Sequence, residues 1–295
     1  KYRPGFGRIV HSDNFIDEDN FKNAFSKEKG EILFAVQHGG GFGVDQVWPI
    51  IPHSEYIMNY FITWGWRDHE SYRLNSLPLP SPALSRLKAL RKKVRVSQKI
   101  VFVGTEMSSL RLRIHSKPIE LDWLNYREQK VSFLNALSST EREDVLYRPG
   151  SSSTLRDHEF LLEIFPEIKI IHGIFQNFHR ELISARLCVV DHSSTTLHQS
   201  MAMNIPTVAY WNPDHWKLSR QSTPFFNDLE RVGILHRSGY EAGQFVSENF
   251  NQIESWWNSD ETQAARLQWC NTYAKTSESW ARDWFLALWP KNVKI

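Results

Sequence analysis

Six polar residues stand together in the second half of this chain, Asp191, His192, Ser193, Ser194, Thr195 and Thr196, directly after the apolar run Leu187–Val190. Four consecutive hydroxyls, where a short strand hands over to a helix, would gather O–H donors and the helix's first free backbone N–H groups in one crevice. An N-cap needs one hydroxyl, and a cap with solvated serines is the plainer reading; four suit an anion, a phosphate above all. The first half offers a second cluster, Gln37, His38, Gly39, Gly40, Gly41, Phe42 and Gly43, with four glycines in five positions. Such a loop lets backbone pass close to a ligand, and it presents Gln37 and His38 at a strand end, so it is a candidate binding wall. Arg148, closing the short run VLYRP, could clamp a phosphate through its planar fork or simply make a surface salt bridge.

The elements that must hold these groups follow from apolar spacing. Residues 31–36 read as a buried strand feeding the glycine loop, and residues 187–190 as a parallel strand feeding the hydroxyl cluster. The helix after that cluster stops at Asn204, Ile205 and Pro206, and residues 207–211 return to the sheet. Residues 8–11 end a strand, 17–29 form an amphipathic helix with Phe21 and Phe25 at helical spacing, and 60–66 form an aromatic strand with Trp64 and Trp66 on one face, in the core. The proline-rich 77–82 is a break, and 86–95 is a basic helix or linker whose simplest role is a solvated face. Residues 98–104, 145–149 and 168–173 are further strands with helices over 122–137 and 178–185, so 98–211 alternates like a doubly wound parallel sheet. Short helices at 225–233 and 240–249 precede a helical tail, 253–289, which carries Trp256, Trp257, Trp269, Trp280, Trp284 and Trp289. That much aromatic area suits helices packed across two domains better than a sugar-stacking platform.

Composition bounds the rest. The 295 residues, 41% hydrophobic and 23% charged, suffice for two domains, and no apolar run approaches membrane-spanning length. A net charge of +2 gives no ground for a nucleic-acid partner. Cys188 and Cys270 form neither a metal motif nor a disulfide framework, which favours a cytoplasmic setting. The start lacks the apolar core of a signal peptide and an initiator methionine, so a trimmed first domain is expected.

QHGGGFG at 37–43, TWGW at 63–66, Arg148 with Pro149, HSSTT through NIPTVAYWNPDHW at 192–216, FFNDLERVGILH at 225–236 and the tryptophans at 256 and 257 together resemble a bacterial transferase family built around a QHGGG loop. That family is in turn similar to GT-B glycosyltransferases of the type that uses CMP-Kdo in lipopolysaccharide and capsule polysaccharide synthesis. The resemblance implies an α/β, GT-B-like fold of two Rossmann-like domains facing a cleft. Residues 1–97 would form the acceptor side, 98–250 the nucleotide-sugar side, and 251–295 helices crossing back to the first domain. It also implies that Ser193, Ser194 and Thr195 hold the donor phosphate, that Arg148 lies near the nucleotide, and that His38, Gly39, Gly40 and Gly41 wall the cleft together with Gln37. Two positions depart from the pattern: Gln199 stands for a glutamate and can still bond a ribose hydroxyl, while Asn59 stands for an aspartate and cannot serve as base or nucleophile.

Glycosyl transfer needs a base or a carboxylate nucleophile, with N–H groups or positive charge for the leaving phosphate. Among the nearby carboxylates Asp45, Glu55, Glu106 and Asp191, the first candidate is Glu55, between glycine loop and aromatic strand; an exposed charge is its plain alternative. His38 is the second candidate, as a base. No acidic metal pair stands out, so a metal-independent reaction without a resident cofactor is expected, the nucleotide sugar being a co-substrate and the acceptor a glycan or lipid-linked glycan. The basic run 86–95 leaves room for peripheral contact with an anionic membrane. Sulfuryl or phosphoryl transfer is a weaker reading, since the chain lacks a P-loop motif. A noncatalytic nucleotide- or glycan-binding module is the alternative from outside enzymology. The whole reading requires the hydroxyl cluster to face the glycine wall across a gap that packed side chains do not fill.

Overall fold

The computed structural model describes residues 9–12, 32–47, 55–56, 58–68, 74–106, 122–150, 156–171 and 176–289; the helix expected over 17–29 lies outside them. The first sheet is parallel throughout and runs in chain order, β1 (Ile9–Ser12), β2 (Ile32–Val36), β3 (Tyr60–Thr63) and β4 (Ser76–Pro78). β3 ends earlier than its aromatic composition predicts. Gly65 takes φ +123°, and a side chain there would come within 2.7 Å of the Asn271 carbonyl oxygen, so the chain turns at Trp64 and both tryptophans still enter the core. The proline-rich segment, expected to be a break, contains an edge strand. Pro78 is tolerated in β4 because an edge strand can dispense with one N–H, and Ser81 then caps α1 (Pro82–Arg91), which Pro82 opens.

The second sheet has six parallel strands, β5 (Ile100–Val103), β6 (Val145–Arg148), β7 (Lys169–Ile170), β8 (Leu187–Val190), β9 (Thr207–Tyr210) and β10 (Leu235–His236), in the order β10-β9-β8-β5-β6-β7. Every residue of β5, β8 and β9 is buried, which is why these strands read as unbroken apolar runs. The connecting helices are α2 (Trp123–Ala136), α3 (Ser139–Glu143), α4 (Asp157–Ile164), α5 (Gln176–Ser184), α6 (Thr195–Ala202), α7 (Thr223–Arg231) and α8 (Gly239–Asn249). After β7 the chain returns to the middle of the sheet, so its winding reverses between β5 and β8. In such sheets the crevice at the carboxyl ends of the two strands flanking that reversal is the usual ligand site. The loops emerging there carry Thr105 and Asp191, and the Thr105 N–H donates to Asp191 Oδ1 at 2.8 Å.

The tail, read as one helical stretch, is three helices: α9 (Ile253–Trp257), α10 (Asp260–Tyr273) and α11 (Trp280–Leu288). α10 packs on α6 and α7, and the chain then crosses to the first sheet, where Trp284, Ala287 and Leu288 of α11 meet Ile32, Phe34, Val36, Ile62 and Leu79. Trp257 and Trp269 are fully buried, each worth roughly 3 kcal/mol of apolar burial. One apolar core runs from Phe42 and Phe61 of the first half to Leu197, Met201 and Trp269. Trp280 and Trp289 remain exposed, so the tryptophan-rich tail does more than fill core.

Candidate functional site

The glycine loop leaves the carboxyl end of β2 and is fixed from inside by Gln37. Its Oε1 accepts from the Trp64 N–H and from Trp66 Nε1, both at 2.8 Å, and its Nε2 donates to the Gly39 carbonyl at 2.8 Å. Gln37 therefore ties the QHGGG and TWGW motifs together as a buried positioning residue; its side chain faces protein where the sequence reading had it facing substrate. His38 points the other way. Its side chain is 43% exposed, and its Nε2 lies 3.0 Å from Oε1 of Glu55, which is buried. The sequence ranked Glu55 ahead of His38 as the reacting group; the geometry reverses their order, since the histidine meets solvent and the carboxylate sits behind it.

The two predicted walls face each other, but they close on one another at several points, so the unfilled gap expected between them is absent where Gly40 meets Ser194 and Thr195 and where Asp45 meets Ser193. A Cβ on Gly40 would lie 2.5 Å from the Ser194 carbonyl carbon and 2.7 Å from the Thr195 nitrogen, so only glycine allows this approach, and the Gly40 N–H donates to Thr195 Oγ1 at 3.2 Å. Ser193 is buried and donates to Asp45 Oδ1 at 3.2 Å. Its hydroxyl therefore joins the halves, which is a correction to its reading as a phosphate ligand. Residues 44–46 continue the closure, with Asp45 bridging Leu218 and the Gln46 N–H donating to the Lys217 carbonyl at 2.9 Å. Ser194 and Thr195 stay half-buried beside this junction. Ser194 occupies the N-cap of α6 in an extended conformation and makes no side-chain cap, its carbonyl takes the Leu197 N–H at 3.0 Å, and Gly40 packs against the Thr195 nitrogen.

Arg148 and Gln199, far apart in sequence, meet consecutive residues of α5. The Arg148 guanidinium lies 5.7 Å from the Phe178 ring centre, and Gln199 Nε2 lies 3.5 Å from His179 Nε2. Burial lowers the Arg148 pKa and nearby Glu106 opposes that shift, leaving a cation at any working pH. Phe178 and His179 escaped the sequence reading, because amphipathic spacing had already accounted for the helix that carries them.

Beneath the reversal point lies a buried ionic network that the sequence also hid. Lys130, fully buried on α2, donates to the Thr105 carbonyl at 2.7 Å and sits 3.5 Å from Asp157 and 3.7 Å from Asp191. Arg127 holds Asp157 at 2.7 Å, His192 Nδ1 lies 2.7 Å from Asp191 Oδ1, and the Lys130 ammonium also lies 4.5 Å from the Tyr126 ring centre. Such a network is stable only while every charge is matched, so its place is to fix the loops of β5 and β8. Of the four carboxylates singled out from sequence, Asp45, Glu106 and Asp191 are thus buried against protein groups, Glu106 3.3 Å from the Tyr147 hydroxyl that donates to it. Glu55 alone of the four backs an exposed side chain. Asn59 accepts from the Leu33 N–H at 2.8 Å just before β3 begins, at the sheet edge opposite the one that carries His38, so its departure from the family pattern leaves the cleft untouched.

Among the described residues no three or more His, Cys, Asp or Glu side chains are grouped to hold a metal ion, and no helix is long and apolar enough to cross a membrane. Burial raises the thiol pKa of Cys188 to about 12 and of Cys270 to about 11, so neither is a nucleophile near neutrality.

The LIC12162 family of transferases matches residues 3–288. No curated protein matches the chain. Among solved structures, S. aureus MnaA with UDP aligns at 9% identity over 97% of this chain and 76% of its own, with a TM-score of 0.56. A Listeria monocytogenes protein assigned as a UDP-N-acetylglucosamine 2-epimerase aligns at 11% identity over 87% of this chain and 68% of its own, TM-score 0.52. The H444N variant of the wall teichoic acid polymerase TagF aligns at 9% identity over 88% of this chain and 68% of its own, TM-score 0.50, so this chain spans about two thirds of that polymerase chain. At these identities the likeness is one of fold, a GT-B-like pair of parallel sheets.

Proposed function

The chain belongs to the LIC12162 family of transferases, and from that premise we propose that it is a glycosyltransferase, moving a sugar from a nucleotide-linked donor to a glycan acceptor in bacterial surface polysaccharide synthesis. The single observation that carries this reading is the His38–Glu55 pair, a half-exposed imidazole 3.0 Å from a buried carboxylate, on a loop whose next residues touch the N-terminus of α6. The chemistry follows from that juxtaposition. Held at Nε2 by Glu55, the half-exposed imidazole is oriented to act as the general base that takes a proton from an acceptor hydroxyl. The buried carboxylate then stabilises the imidazolium that forms. The leaving phosphate would meet the half-buried hydroxyls of Ser194 and Thr195 beside the positive end of the α6 dipole, and Arg148 would add a fixed positive charge. Gln199, with His179 beside it, suits a ribose hydroxyl. The finer reading keeps a CMP-linked acidic sugar, Kdo or a relative, as donor, no metal in the reaction, and peripheral contact with the inner membrane where lipid-linked acceptors gather.

The test is kinetic and calorimetric. His38→Ala should lower donor hydrolysis or transfer by about 10²–10⁴-fold, the range for losing a general base, while leaving donor affinity within a few-fold. Glu55→Gln keeps a hydrogen-bonding side chain and loses its charge, so a smaller loss is expected. Titration with CMP, UDP and GDP should favour CMP by tenfold or more. Unchanged turnover in His38→Ala removes the base assignment, and glycan binding that needs no nucleotide, with no turnover at all, turns the reading to a noncatalytic module.

A further inference from the structure

The chain passes between its two sheets twice, and both passages line one groove. The first runs through α1 and residues 92–99 to β5; the second is 274–279, between α10 on the second half and α11 on the first. A cavity of about 620 Å³ opens between them, lined by Arg86, Lys88, Lys92 and Lys93 from the first passage and Thr276, Ser277, Glu278 and Trp280 from the second. The passages are stitched across it: Lys88 Nζ donates to Thr276 Oγ1 at 3.2 Å, the Ser277 N–H donates to Ser85 Oγ at 3.1 Å, and Lys92 Nζ pairs with Glu278 at 2.8 Å. Four cations therefore face a single carboxylate. Glu278 is 91% exposed, so it can swing away from Lys92 at small cost. Trp280, 36% exposed, lines the same groove as these cations.

We propose that this groove is a second ligand site, separate from the His38 cleft, which takes a phosphorylated sugar: the phosphate replaces the Glu278 carboxylate on Lys92, with Lys93 lining the same groove, and the sugar ring stacks on Trp280. The volume suits a ligand of that size, and the pairing of cations with an aromatic face selects a ring bearing negative charge over either feature alone. Because both passages contribute, an occupant ties the two halves together where the chain crosses between them. A neutral glycan lacks the charge, and an anionic membrane would need a surface to lie on where the fold provides a recess.

The experiment is titration calorimetry of the whole chain with glucose 1-phosphate, using glucose and inorganic phosphate as controls. Glucose 1-phosphate should bind at micromolar to millimolar concentration, more tightly than inorganic phosphate, with no heat from glucose. Binding should weaken about tenfold in Lys92→Ala/Lys93→Ala and about threefold in Trp280→Ala, and stay unchanged in His38→Ala. Circular dichroism melts establish that each variant is folded. Equal affinity in the lysine variant, no binding to the wild type, loss only in His38→Ala, or capture by phosphatidylglycerol vesicles without sugar phosphate binding each overturns the proposal. None of these results depends on whether the cleft is a glycosyltransferase site.

Discussion

Near the carboxyl edges of the strands the two halves meet through backbone and buried rings; at the hinge they meet through long charged side chains around an open groove. In the first junction Gly40 presses on the start of α6, Ser193 donates to Asp45, and His198 lies between Trp64 and Trp269 with ring-centre distances of 5.7 and 4.8 Å. In the second, Lys92 and Glu278 are 61% and 91% exposed. The contrast separates two ways of joining the halves. A dry, close-packed contact sets a geometry, here the distance between His38 and the α6 N-terminus, and admits no other side chain. A solvated ion pair sets almost nothing, and leaves the groove open to a ligand.

The sharpest way to break that contrast is to put one methyl group into the dry junction. In Gly40→Ala the new carbon would stand 2.5 Å from the Ser194 carbonyl carbon and 2.6 Å from His198 Nδ1. Neither can yield cheaply, one being backbone and the other a ring locked by two tryptophans, so a loss of about 3 kcal/mol is expected. Thermal melting should fall by several degrees, and turnover should drop with it because His38 rides on the same loop. A variant that melts like the wild type would mean the halves stand apart in solution and the junction does not set the cleft.

The next test uses pH. His198 is fully buried, its Nδ1 3.0 Å from the Ser194 carbonyl and its Nε2 without a hydrogen-bond partner among the described residues, and this desolvation lowers its pKa to about 4. A histidine whose folded pKa lies below its unfolded value near 6.5 binds protons more readily when unfolded, so stability is present above about 6.5 and is lost as pH falls toward 4. Between pH 7 and pH 5 that amounts to about 2 kcal/mol. Half-buried His236 shifts in the same direction and adds to the loss. Denaturant melts of wild type and His198→Asn across this range should diverge at neutral pH and converge toward pH 5. Parallel curves would show that water reaches the ring and that the junction is not dry.

The sequence exposed half of this arrangement. Strands β2, β5, β8 and β9 were legible because burial on both faces leaves continuous apolar runs, and the hydroxyl cluster and glycine loop were legible because their composition exceeds what a cap or a turn needs. The edge strand β4 was hidden by Pro78, α3 and α4 by their length and polarity, and β10 by having two residues. Side-chain direction was the larger loss. Nothing in the order of residues says that Gln37 turns inward while His38 turns out, that Ser193 closes on Asp45 while Ser194 stays half-buried, or that Lys130 reaches under β5 to meet two aspartates. These contacts span long sequence separations, 148 residues in the case of Ser193 and Asp45, and are decided only when the sheets are packed.

The smallest effect belongs to the hinge, and its smallness is the test. Lys92 holds Glu278 at 2.8 Å and lowers its pKa through that hydrogen bond first and its charge second, yet both groups stand in water. Fixing two long side chains offsets much of the Coulomb gain, and salt screens what is left. Lys92→Ala and Glu278→Ala should therefore each melt within about one degree of the wild type, with no further change in 0.5 M salt. A drop as large as that in Gly40→Ala, erased by salt, would mean that the hinge is held by its charges, and the division of labour between the two junctions would not hold. If the melts agree with expectation, Glu278→Ala has a second consequence: freeing Lys92 of its competing carboxylate should tighten glucose 1-phosphate binding, where removing the lysines weakens it.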